Sequence, residues 1–332
     1  MGCYSQTFGI EGVKEHACFL RDIGDARVIR LRLLEAFEKA DLPTTSEAER
    51  GRLLHFAIVG GGPTGIEFAA ELHDLVHEDL AKLYPALMRH VAITIYDIAP
   101  KVLPMFDQSL ARYATDVFRR QGIRVKTEHH LERIRRDGDV LMLRVREEPD
   151  ELPAGLVVWS TGLMQNPLTA TLLRHDVGAP GRRIARDPRT GGILTDDHMR
   201  VQLRHDSSET TTTTTLPDVY AVGDCAVVRD QRYPATAQVA SQQAAYLAKQ
   251  LNRGAADDAS APAFHFRNLG TMAYLGSWRA IHQSRADELT GRAAWILWRT
   301  AYLTRSMSLR NKIMIPVHWL VTWIFGRDIS RF

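Results

Sequence analysis

Two patterns of apolar residues alternate along the first half of the chain. Residues 28–39 carry apolar side chains at helical spacing, and after a loop at residues 43–46 comes the short apolar run His55–Val59. Apolar residues three and four apart indicate an amphipathic helix, whereas a short continuous run bounded by turn residues is typical of a buried strand. The pattern therefore predicts a helix, a loop and a buried strand, in that order.

The same alternation continues up to Trp159. It predicts a helix to about residue 83, a strand at 91–96, a helix at about 110–120, a strand at 123–127, two further strands, and a strand at 156–159. Strands that alternate with helices build a parallel sheet covered by helices. We therefore expect an α/β fold with a Rossmann-like domain.

The second half of the chain is less regular beyond Pro167. The run of threonines within residues 205–215 predicts a flexible surface insertion, and residues 254–262 predict a linker. Between them lies a dense segment, residues 219–251. From Trp295 onward the chain holds four of its six tryptophans together with several basic residues, which indicates a separate functional element.

Composition narrows the function classes. The chain has 332 residues, of which 45% are hydrophobic and 24% are charged, a balance typical of soluble globular proteins. Its net charge of +3 comes from interspersed acids and bases, so nucleic acid is not an expected partner. The three cysteines, Cys3, Cys18 and Cys225, include no CxxC pair, so neither a redox dithiol nor a metal site is expected. No apolar stretch reaches the roughly 18 residues of a membrane-spanning helix.

A glycine-rich turn lies between the predicted strand at residues 55–59 and the helix that follows it. The turn satisfies G-x-G-x-x-G at Gly60, Gly62 and Gly65, and Pro63 and Thr64 open the helix. The first glycine permits the tight turn, the second admits a pyrophosphate, and the third lets helix and strand pack closely. The free N–H groups at the start of the helix attract phosphates. The motif predicts a site for an adenine dinucleotide; the alternative is a glycine-rich turn without a ligand.

Asp97 ends the strand that comes after this helix. A carboxylate at this place accepts hydrogen bonds from the adenosine ribose and repels the extra phosphate of NADPH, so it predicts NADH. The gap of 32 residues from Gly65 to Asp97 exceeds the usual spacing of about 20, which requires a long or extended helix between them. The alternative is that Asp97 is only a surface acid. The nearby Lys101 weakens the preference for NADH.

Glu67 and Glu71 lie in the first turns of the same helix. An acid at this place balances the positive end of the helix dipole, which is the simpler interpretation. The other interpretation is that Glu67 positions the nicotinamide or relays protons beside a flavin. Both interpretations stay open on the sequence alone.

A second cofactor signature lies in the segment 219–251. Val219-Tyr-Ala-Val-Gly-Asp224 predicts a short buried strand that ends in Gly-Asp, and Pro234-Ala-Thr-Ala-Gln238 leads into a helix. This order resembles the second flavin fingerprint of two-dinucleotide flavoproteins, in which the aspartate binds the ribitol chain of FAD. Glycine there lets the flavin chain approach the backbone. The alternative is a simple turn at Gly223 and Asp224.

Taken together, the motifs resemble those of type II, single-subunit NADH:quinone oxidoreductases. The terminal segment Trp323-Ile-Phe-Gly-Arg-Asp-Ile-Ser-Arg-Phe332 is similar to the fungal mitochondrial branch of that family, and the resemblance covers essentially the whole chain. The motifs that stand here in the order of the family are Gly60-Gly-Gly-Pro-Thr-Gly-Ile-Glu-Phe-Ala-Ala-Glu-Leu72, Leu103-Pro-Met-Phe106, Trp159-Ser-Thr-Gly162, Tyr220-Ala-Val-Gly-Asp-Cys-Ala226, Ala237-Gln-Val-Ala-Ser-Gln-Gln243 and Ala273-Tyr-Leu-Gly276.

The resemblance implies FAD held without a covalent bond, NADH on one face of the flavin, and ubiquinone reduced on the other face without proton pumping. It implies that Glu67, Gln238 and Gln242 act in catalysis, that both glutamines also border the quinone, and that Tyr302 lines the quinone tunnel. The cofactor-binding residues that it implies are Gly60, Gly62, Pro63, Thr64, Gly65, Asp97, Gly162, Gly223, Asp224 and Ala237.

The resemblance also implies a division by ligand. Residues 1–54 are a remnant of the FAD-binding domain, 55–165 the Rossmann-like NADH domain, 166–260 the second part of the FAD domain, and 261–332 the quinone and membrane-association region. The family's FAD domain begins with a further G-x-G-x-x-G, and none precedes Gly60. We therefore expect one flavin-binding half, on the order of 100 residues, to be missing. The alternative function is a FAD-less homologue that binds NADH or membrane without catalysis.

Residues 313–325 carry apolar side chains at helical spacing, with Trp319 and Trp323 one turn apart and basic residues at both flanks. These 13 residues are too few to span a bilayer. Tryptophans at the headgroup level and arginines on anionic lipid are typical of an interfacial helix. We expect peripheral binding to the mitochondrial inner membrane. The alternatives are that the helix packs on its own domain or forms a homodimer through the C-terminal region.

Overall fold

The computed structural model describes residues 2–206, 211–253, 262–306 and 308–329. The chain forms two compact units. The larger unit comprises Thr7–Gly162 and Gly270–Phe332, and the smaller unit comprises Met1–Gln6 and Leu163–Leu269.

The strands and helices follow one another along both units. The strands are β1 (Tyr4–Ser5), β2 (Cys18–Phe19), β3 (His55–Val59), β4 (Ala92–Tyr96), β5 (Arg124–Lys126), β6 (Leu131–Asp137), β7 (Val140–Val145), β8 (Leu152–Ala154), β9 (Leu156–Trp159), β10 (Leu163–Met164), β11 (Arg182–Ile184), β12 (Ile193–Thr195), β13 (Arg200–Asp206), β14 (Thr211–Tyr220), β15 (Ala226–Val228), β16 (Thr271–Gly276), β17 (Arg279–Gln283) and β18 (Glu288–Thr290). The helices are α1 (Val13–His16), α2 (Ile23–Asp41), α3 (Glu47–Leu53), α4 (Pro63–Asp74), α5 (Ala81–Leu83), α6 (Gln108–Arg120), α7 (Pro167–Leu172), α8 (Ala237–Asn252), α9 (Gly291–Arg305) and α10 (Leu309–Phe325).

The larger unit is built on a five-stranded parallel sheet in the order β2-β9-β3-β4-β5. β3 lies at the centre, where Ile58 is opposite both Ile95 and Val158. Four of its five residues are buried, because helices cover one face of the sheet and the antiparallel strands β6–β8 cover the other, which leaves no polar side to alternate. The predicted α/β fold with a Rossmann-like parallel sheet is confirmed.

The helix that begins at the glycine turn is long enough to account for the wide spacing before Asp97. α4 begins at Pro63 and continues through a π-helical segment, Leu75–Leu80, into α5. A 3-10 turn, Pro85–His90, then leads to β4. The predicted extension between Gly65 and Asp97 is therefore present, and its π-helical turn is of a kind often found at functional sites.

Two antiparallel sheets, β6-β7-β8 and β16-β17-β18, also belong to the larger unit. α9 follows the second of these sheets and buries Ala294, while Trp295 and Trp298 pack on the main apolar core. α10 comes next and has no buried residue. Among the described parts of the chain, no helix combines the length and apolar character needed to cross a membrane.

The smaller unit contains a five-stranded sheet in which β12 and β15 are parallel and the other pairs are antiparallel. The threonine run, which predicted a flexible insertion, lies largely in β14 and pairs with β13 from Gln202↔Thr215 to Asp206↔Thr211. That prediction was wrong because threonine is β-branched and favours extended strands. Residues 207–210 lie outside the described residues.

The predicted short buried strand at residues 219–222 is also corrected. Val219 and Tyr220 end the ten-residue strand β14, and Val219 is 41% exposed. The apolar run misled because this strand pairs with β13 at the edge of its sheet and leaves Val219 open to solvent. The 3-10 turn Gly223–Cys225 follows, and α8 begins where a helix was predicted. The predicted linker at residues 254–262 lies outside the described residues except for Pro262.

The compact units group the chain differently from the predicted division by ligand. Residues 7–54 and 270–332 belong to the same unit as the predicted NADH domain. The units follow from packing, whereas the predicted regions follow from which ligand each one binds. The division by ligand stays a prediction.

Candidate active site

The glycine turn has the backbone geometry that its sequence predicts. Gly60 has φ +116°, and a Cβ added there would lie 2.9 Å from Ser160 Oγ. A Cβ on Gly65 would lie 1.9 Å from the Gly60 carbonyl oxygen, so helix and turn approach as closely as glycine allows. A Cβ on Gly62 would meet nothing within 4 Å. Open space at Gly62, directly before the first turn of α4, fits a pyrophosphate.

Asp97 lies at the end of β4, beside the turn. Its Oδ2 accepts a hydrogen bond from the Gly61 N–H, and its Oδ1 accepts one from the Ala99 N–H at 2.6 Å. These two hydrogen bonds stabilise the turn. Each carboxylate oxygen has a second lone pair, so Asp97 can still accept a hydrogen bond from a ribose hydroxyl. Lys101 donates instead to the Phe106 carbonyl at 3.3 Å. The assignment of Asp97 to the ribose stays a prediction.

A cavity of about 320 Å³ lies beside the Gly-Asp signature of the smaller unit, lined in part by Gly223, Asp224 and Gln165. Gly223 has φ +74°, and a Cβ there would lie 3.2 Å from Ala240 Cβ. Gln165 donates to the Asp224 carbonyl at 3.2 Å, whereas its buried Oε1 has no partner among the described residues. A buried acceptor without a partner indicates that a bound ligand supplies the hydrogen-bond donor. These residues fit the hydroxyl-bearing ribityl chain of FAD.

The glutamines at the start of α8 hold main-chain segments of the smaller unit. Gln238 accepts a hydrogen bond at 2.9 Å and Gln242 forms two, at 2.9 and 3.0 Å, all with the backbone of residues 267–269. Gln243, which is 2% exposed, accepts from the Gly223 N–H at 2.7 Å and so fixes the Gly-Asp turn. The roles of Gln238 and Gln242 beside flavin and quinone stay predictions.

Two further predicted cofactor residues lie at the ends of segments. Gly162, with φ +71°, ends the first stretch of the larger unit. Ala237 is the first residue of α8, whose N-terminus is capped by the Thr236 side chain. The cofactor roles of both residues stay predictions.

A second cavity, of about 1200 Å³, lies within the larger unit. Acidic residues of α4 and of the π-helical segment form one side of it, and aromatic residues of the C-terminal region form the other. The acidic side chains are Glu67, Glu71, Glu78 and Asp79, and the aromatic ones are Tyr274, Trp278, Trp295, Trp298, Tyr302, Trp319, Trp323 and Phe325.

Glu67 is held in this cavity by two donors. Its Oε1 accepts from the Tyr274 N–H at 3.0 Å and from Trp298 Nε1–H at 3.1 Å. Burial raises the pKa of the Glu67 carboxyl above its ordinary value, and the two hydrogen bonds offset only part of that rise. A carboxyl with a raised pKa exchanges its proton closer to neutral pH. The placement therefore favours a proton-carrying role over simple dipole balancing.

Tyr302, which was predicted to line a quinone tunnel, lies on the wall of the same cavity. Trp298 packs between Tyr274 and Tyr302, with ring centroids 5.2 and 4.9 Å away. Burial raises the pKa of the Tyr302 phenol, and the nearby Glu67 adds to the rise, so the phenol keeps its proton. An aromatic wall with a phenolic donor suits a flat ring that carries carbonyl groups.

Two residues that shape this cavity escaped the sequence reasoning. Asp74, which is 2% exposed, accepts from Tyr274 O–H at 2.5 Å and from the Ser277 N–H at 3.0 Å. Arg327 bonds to the acids of the π-helical segment. The available signal was the row of acids at helical spacing that begins with Glu67, which predicts a common face but not its distant partners.

Comparisons with known proteins agree with this geometry. The chain matches the family model described as pyridine nucleotide-disulphide oxidoreductase over residues 1–244, and the model described as NDH2 C-terminal domain over residues 268–328. A probable NADH dehydrogenase of Dictyostelium discoideum is 42% identical, with 100% of this chain and 68% of that protein covered. The internal alternative NAD(P)H-ubiquinone oxidoreductase A1, mitochondrial, of Solanum tuberosum is 36% identical, with 99% and 64% covered. The chain thus spans about two thirds of the length of these relatives.

The same fold occurs in a solved structure of NDH2 from Plasmodium falciparum in complex with NADH. The TM-score is 0.86 at 23% identity, with 99% of this chain and 78% of that chain covered. Fold and site together define a nucleotide-dependent oxidoreductase of the pyridine nucleotide-disulphide oxidoreductase class. Within that class, the chain belongs to the type II NADH dehydrogenase family, as its motifs predicted.

Proposed function

We propose that the chain is a non-proton-pumping NADH:ubiquinone oxidoreductase that lies on the surface of the mitochondrial inner membrane. The observation that carries the proposal is the position of Glu67. It lies on the helix that begins at the nucleotide turn, and it faces a large aromatic cavity. The names of the relatives from Dictyostelium discoideum and Solanum tuberosum support the same reaction.

NADH binds at the start of α4. The N–H groups of the first helical turn face the open space at Gly62 and neutralise the pyrophosphate. Gly60 and Gly65 keep that backbone close to the sheet, and Asp97 accepts from the adenosine ribose. The same carboxylate repels a 2′-phosphate, which gives the preference for NADH over NADPH.

Gly223, Asp224 and Gln165 would hold FAD by its ribityl chain. When bound, FAD supplies the redox chemistry, taking a hydride from NADH and delivering two electrons to the quinone. Gln243 fixes the backbone of Gly223 for this contact. We assign Gly162, Ala237, Gln238 and Gln242 to the surroundings of the flavin. The two glutamines are also assigned to the quinone by the family resemblance, although other residues line the aromatic cavity.

The aromatic cavity binds the quinone head group. Reduction of a quinone to a quinol consumes two electrons and two protons, so the cavity must deliver protons to the quinone oxygens. The raised pKa of Glu67 favours its protonated form, and Oε2 is the place for the proton because Oε1 accepts from Tyr274 and Trp298. The protonated Tyr302 phenol donates a hydrogen bond to a quinone oxygen and orients the ring. Glu67 passes its proton to a quinone oxygen and is reprotonated; of the two protons of the quinol, the hydride of NADH accounts for one and solvent for the other.

Membrane association follows from α10. Its apolar side chains stay open, with Trp323 70% and Phe325 81% exposed. Exposed apolar side chains on a helix flanked by basic residues favour an interfacial position, with the helix lying in the headgroup region. A quinone dissolved in the bilayer then reaches the cavity, which α10 borders. A homodimer through the same surface is the competing use of α10.

The absorption spectrum and the quinone-dependent oxidation of NADH test this proposal. We expect the purified chain in detergent to show the bands of bound flavin in the blue region and to reduce ubiquinone-1 with NADH. A flavin-free chain that still binds NADH would contradict the enzyme and support the silent, NADH-binding homologue. The single G-x-G-x-x-G of the sequence is the observation that keeps this second candidate in the test.

A further inference from the structure

α10 borders the quinone cavity, but few of its side chains pack against the rest of the larger unit. Trp319 and Trp323 line the cavity, yet no residue from Leu309 to Phe325 is buried. A helix in a folded protein usually keeps its place by burying an apolar face. Within α10, Trp319 is stacked under the Arg299 guanidinium of α9, which lies 3.9 Å from the ring centroid, and the rest of its hold comes from the segment that follows the helix.

The C-terminal end of α10 is fastened by residues 326–329, which we call the strap. The Asp328 carbonyl accepts from Arg30 Nη1–H at 3.1 Å, and Ile329 packs against the main apolar core. Gly326 has φ +83°, and a Cβ there would lie 2.8 Å from Asp79 Oδ1. The strap is thus packed against the rest of the larger unit, whereas α10 has no buried residue.

Arg327 makes the polar contacts of the strap. Its Nη1 donates to Glu78 Oε2 at 2.7 Å and to Asp79 Oδ2 at 2.8 Å, and its backbone N–H donates to Asp79 Oδ1 at 3.2 Å. Its Nη2 lies 3.8 Å from Glu71 Oε2. Asp79 is 7% exposed, so one acceptor of this set is shielded from water. Charged hydrogen bonds to a buried carboxylate are stronger than exposed ion pairs.

The acceptors lie on the helix that begins at the nucleotide turn. Glu78 and Asp79 are neighbours in the π-helical segment Leu75–Leu80, and Glu71 precedes it on α4. Arg327 reaches both neighbours at once with one guanidinium. The strap is therefore attached to the same helix that carries Glu67 into the cavity.

We propose that Arg327 is a positioning residue for the quinone site: by binding Asp79 and Glu78 it fastens the strap and so holds α10 across the cavity that Glu67 faces. The proposal rests on the proposed function for the identity of the ligand. Arg327 itself lines the cavity, on the side of the acids that it binds. It acts by keeping Trp319 and Trp323 in the cavity wall.

The test measures quinone binding without turnover. Ubiquinone-1 quenches the fluorescence of tryptophans that line its site, and the titration of the purified chain in detergent gives a dissociation constant. We expect Arg327→Gln to raise this constant about tenfold, which corresponds to a cavity wall that is in place about one tenth of the time. The same variant should become more accessible to acrylamide quenching and should be cut faster by trypsin after Arg305 and Arg310.

Two further variants separate position from charge. Gly326→Ala leaves Arg327 intact but displaces it from Asp79, so it should weaken quinone binding in the same way. Arg310→Gln removes a charge from the same region without a described contact to a carboxylate, so its quinone affinity should equal that of the wild type. The affinity for NADH should stay unchanged in all three variants, which general unfolding would not allow.

The outcomes distinguish an error in the assignment of the quinone cavity from an error in the role of Arg327. If ubiquinone-1 does not quench the wild-type chain saturably, the quinone cavity itself is wrong. If the wild type binds and both Arg327→Gln and Gly326→Ala bind equally well, with unchanged circular dichroism, Arg327 does not position the site. Should Arg327→Gln unfold, the folded Gly326→Ala variant carries the test, and an affinity equal to that of the wild type would then overturn the assignment.

Discussion

The nucleotide turn and the quinone cavity lie along one helix of the larger unit, yet they are built in different ways. The turn consists mostly of backbone, and its closest contacts are among Gly60, Gly65 and Ser160. The cavity consists of side chains from distant parts of the chain. Glu67 meets Tyr274 and Trp298, which stand 207 and 231 positions later.

Because of this difference, the two regions should tolerate different kinds of substitution. The turn has room for a phosphate but for few added atoms, so steric changes should destroy it. The cavity keeps its shape through long-range contacts and keeps a titratable carboxyl in a partly dry environment, so isosteric changes of charge should reveal its chemistry. Substitutions in the two regions should therefore affect different measurements.

The largest effect is expected at the turn. Gly65→Ala places a Cβ 1.9 Å from the Gly60 carbonyl oxygen and 2.6 Å from Ser160 Oγ. Strand and helix must then separate, which should cost about 3–5 kcal/mol of the free energy of unfolding, as severe packing errors do. Urea denaturation followed by circular dichroism measures this loss.

Gly62→Ala is the matched control for stability, because its Cβ meets nothing within 4 Å. We expect its free energy of unfolding to stay within about 1 kcal/mol of the wild type. Equal losses in the two variants would break the claim that the turn is packed at Gly65 and open at Gly62.

The next effect is expected in the cavity. Glu67→Gln keeps the acceptor for Tyr274 and Trp298 but removes the proton, so the rate of quinone reduction should fall about a hundredfold. In the wild type the rate should decline as pH rises through the raised pKa of Glu67, and this decline should be absent from the variant. Steady-state rates with ubiquinone-1 across pH measure both.

The stability of the chain gives an independent check on Glu67. Because burial raises its pKa on folding, the folded chain binds more protons than the unfolded chain between the two pKa values. Stability should therefore fall as pH rises from the ordinary carboxyl range through the raised pKa, and Glu67→Gln should lose this part of the pH dependence. A variant with the same pH dependence as the wild type would mean that Glu67 is not perturbed.

A smaller effect is expected at Asp97. Asp97→Ala should weaken the preference for NADH. The dissociation constant for NADPH divided by that for NADH should fall about tenfold, because the repulsion of the 2′-phosphate is removed. Asp97→Asn, which keeps an acceptor for Gly61 or Ala99, controls for loosening of the turn. An unchanged ratio in both variants would remove Asp97 from the ribose.

The smallest effect is expected on the tail. Phe325→Ser should weaken binding to vesicles of anionic and neutral phospholipid about fivefold, since Phe325 is 81% exposed on α10. Ile23→Ser, at a position that is 75% exposed at the start of α2, should leave vesicle binding unchanged. Co-sedimentation with the vesicles measures both, and equal losses would mean that α10 is not the anchor.

The turn and the cavity also differ in how well the sequence predicts them. The strand, turn and helix from His55 to α4 follow from local periodicity and glycine chemistry, and the structure reproduces them. The threonine run was misjudged because its composition suggested a floppy segment, whereas pairing with β13 let β-branched side chains form a strand. The row of acids that includes Asp74 predicts a common helix face, but nothing local predicts the pairing of Asp74 with Tyr274 or of Arg327 with Glu78, because these partners lie 200 and 249 positions apart.

The central claim is that backbone N–H groups at the start of α4 bind the pyrophosphate of NADH. Calorimetric titration of the purified chain with NADH tests it most directly, with Gly62→Ala as the comparison. We predict saturable binding at one site in the wild type and an affinity at least about tenfold lower in the variant, at unchanged stability. No binding by the wild type, or the same affinity in both, would contradict the claim.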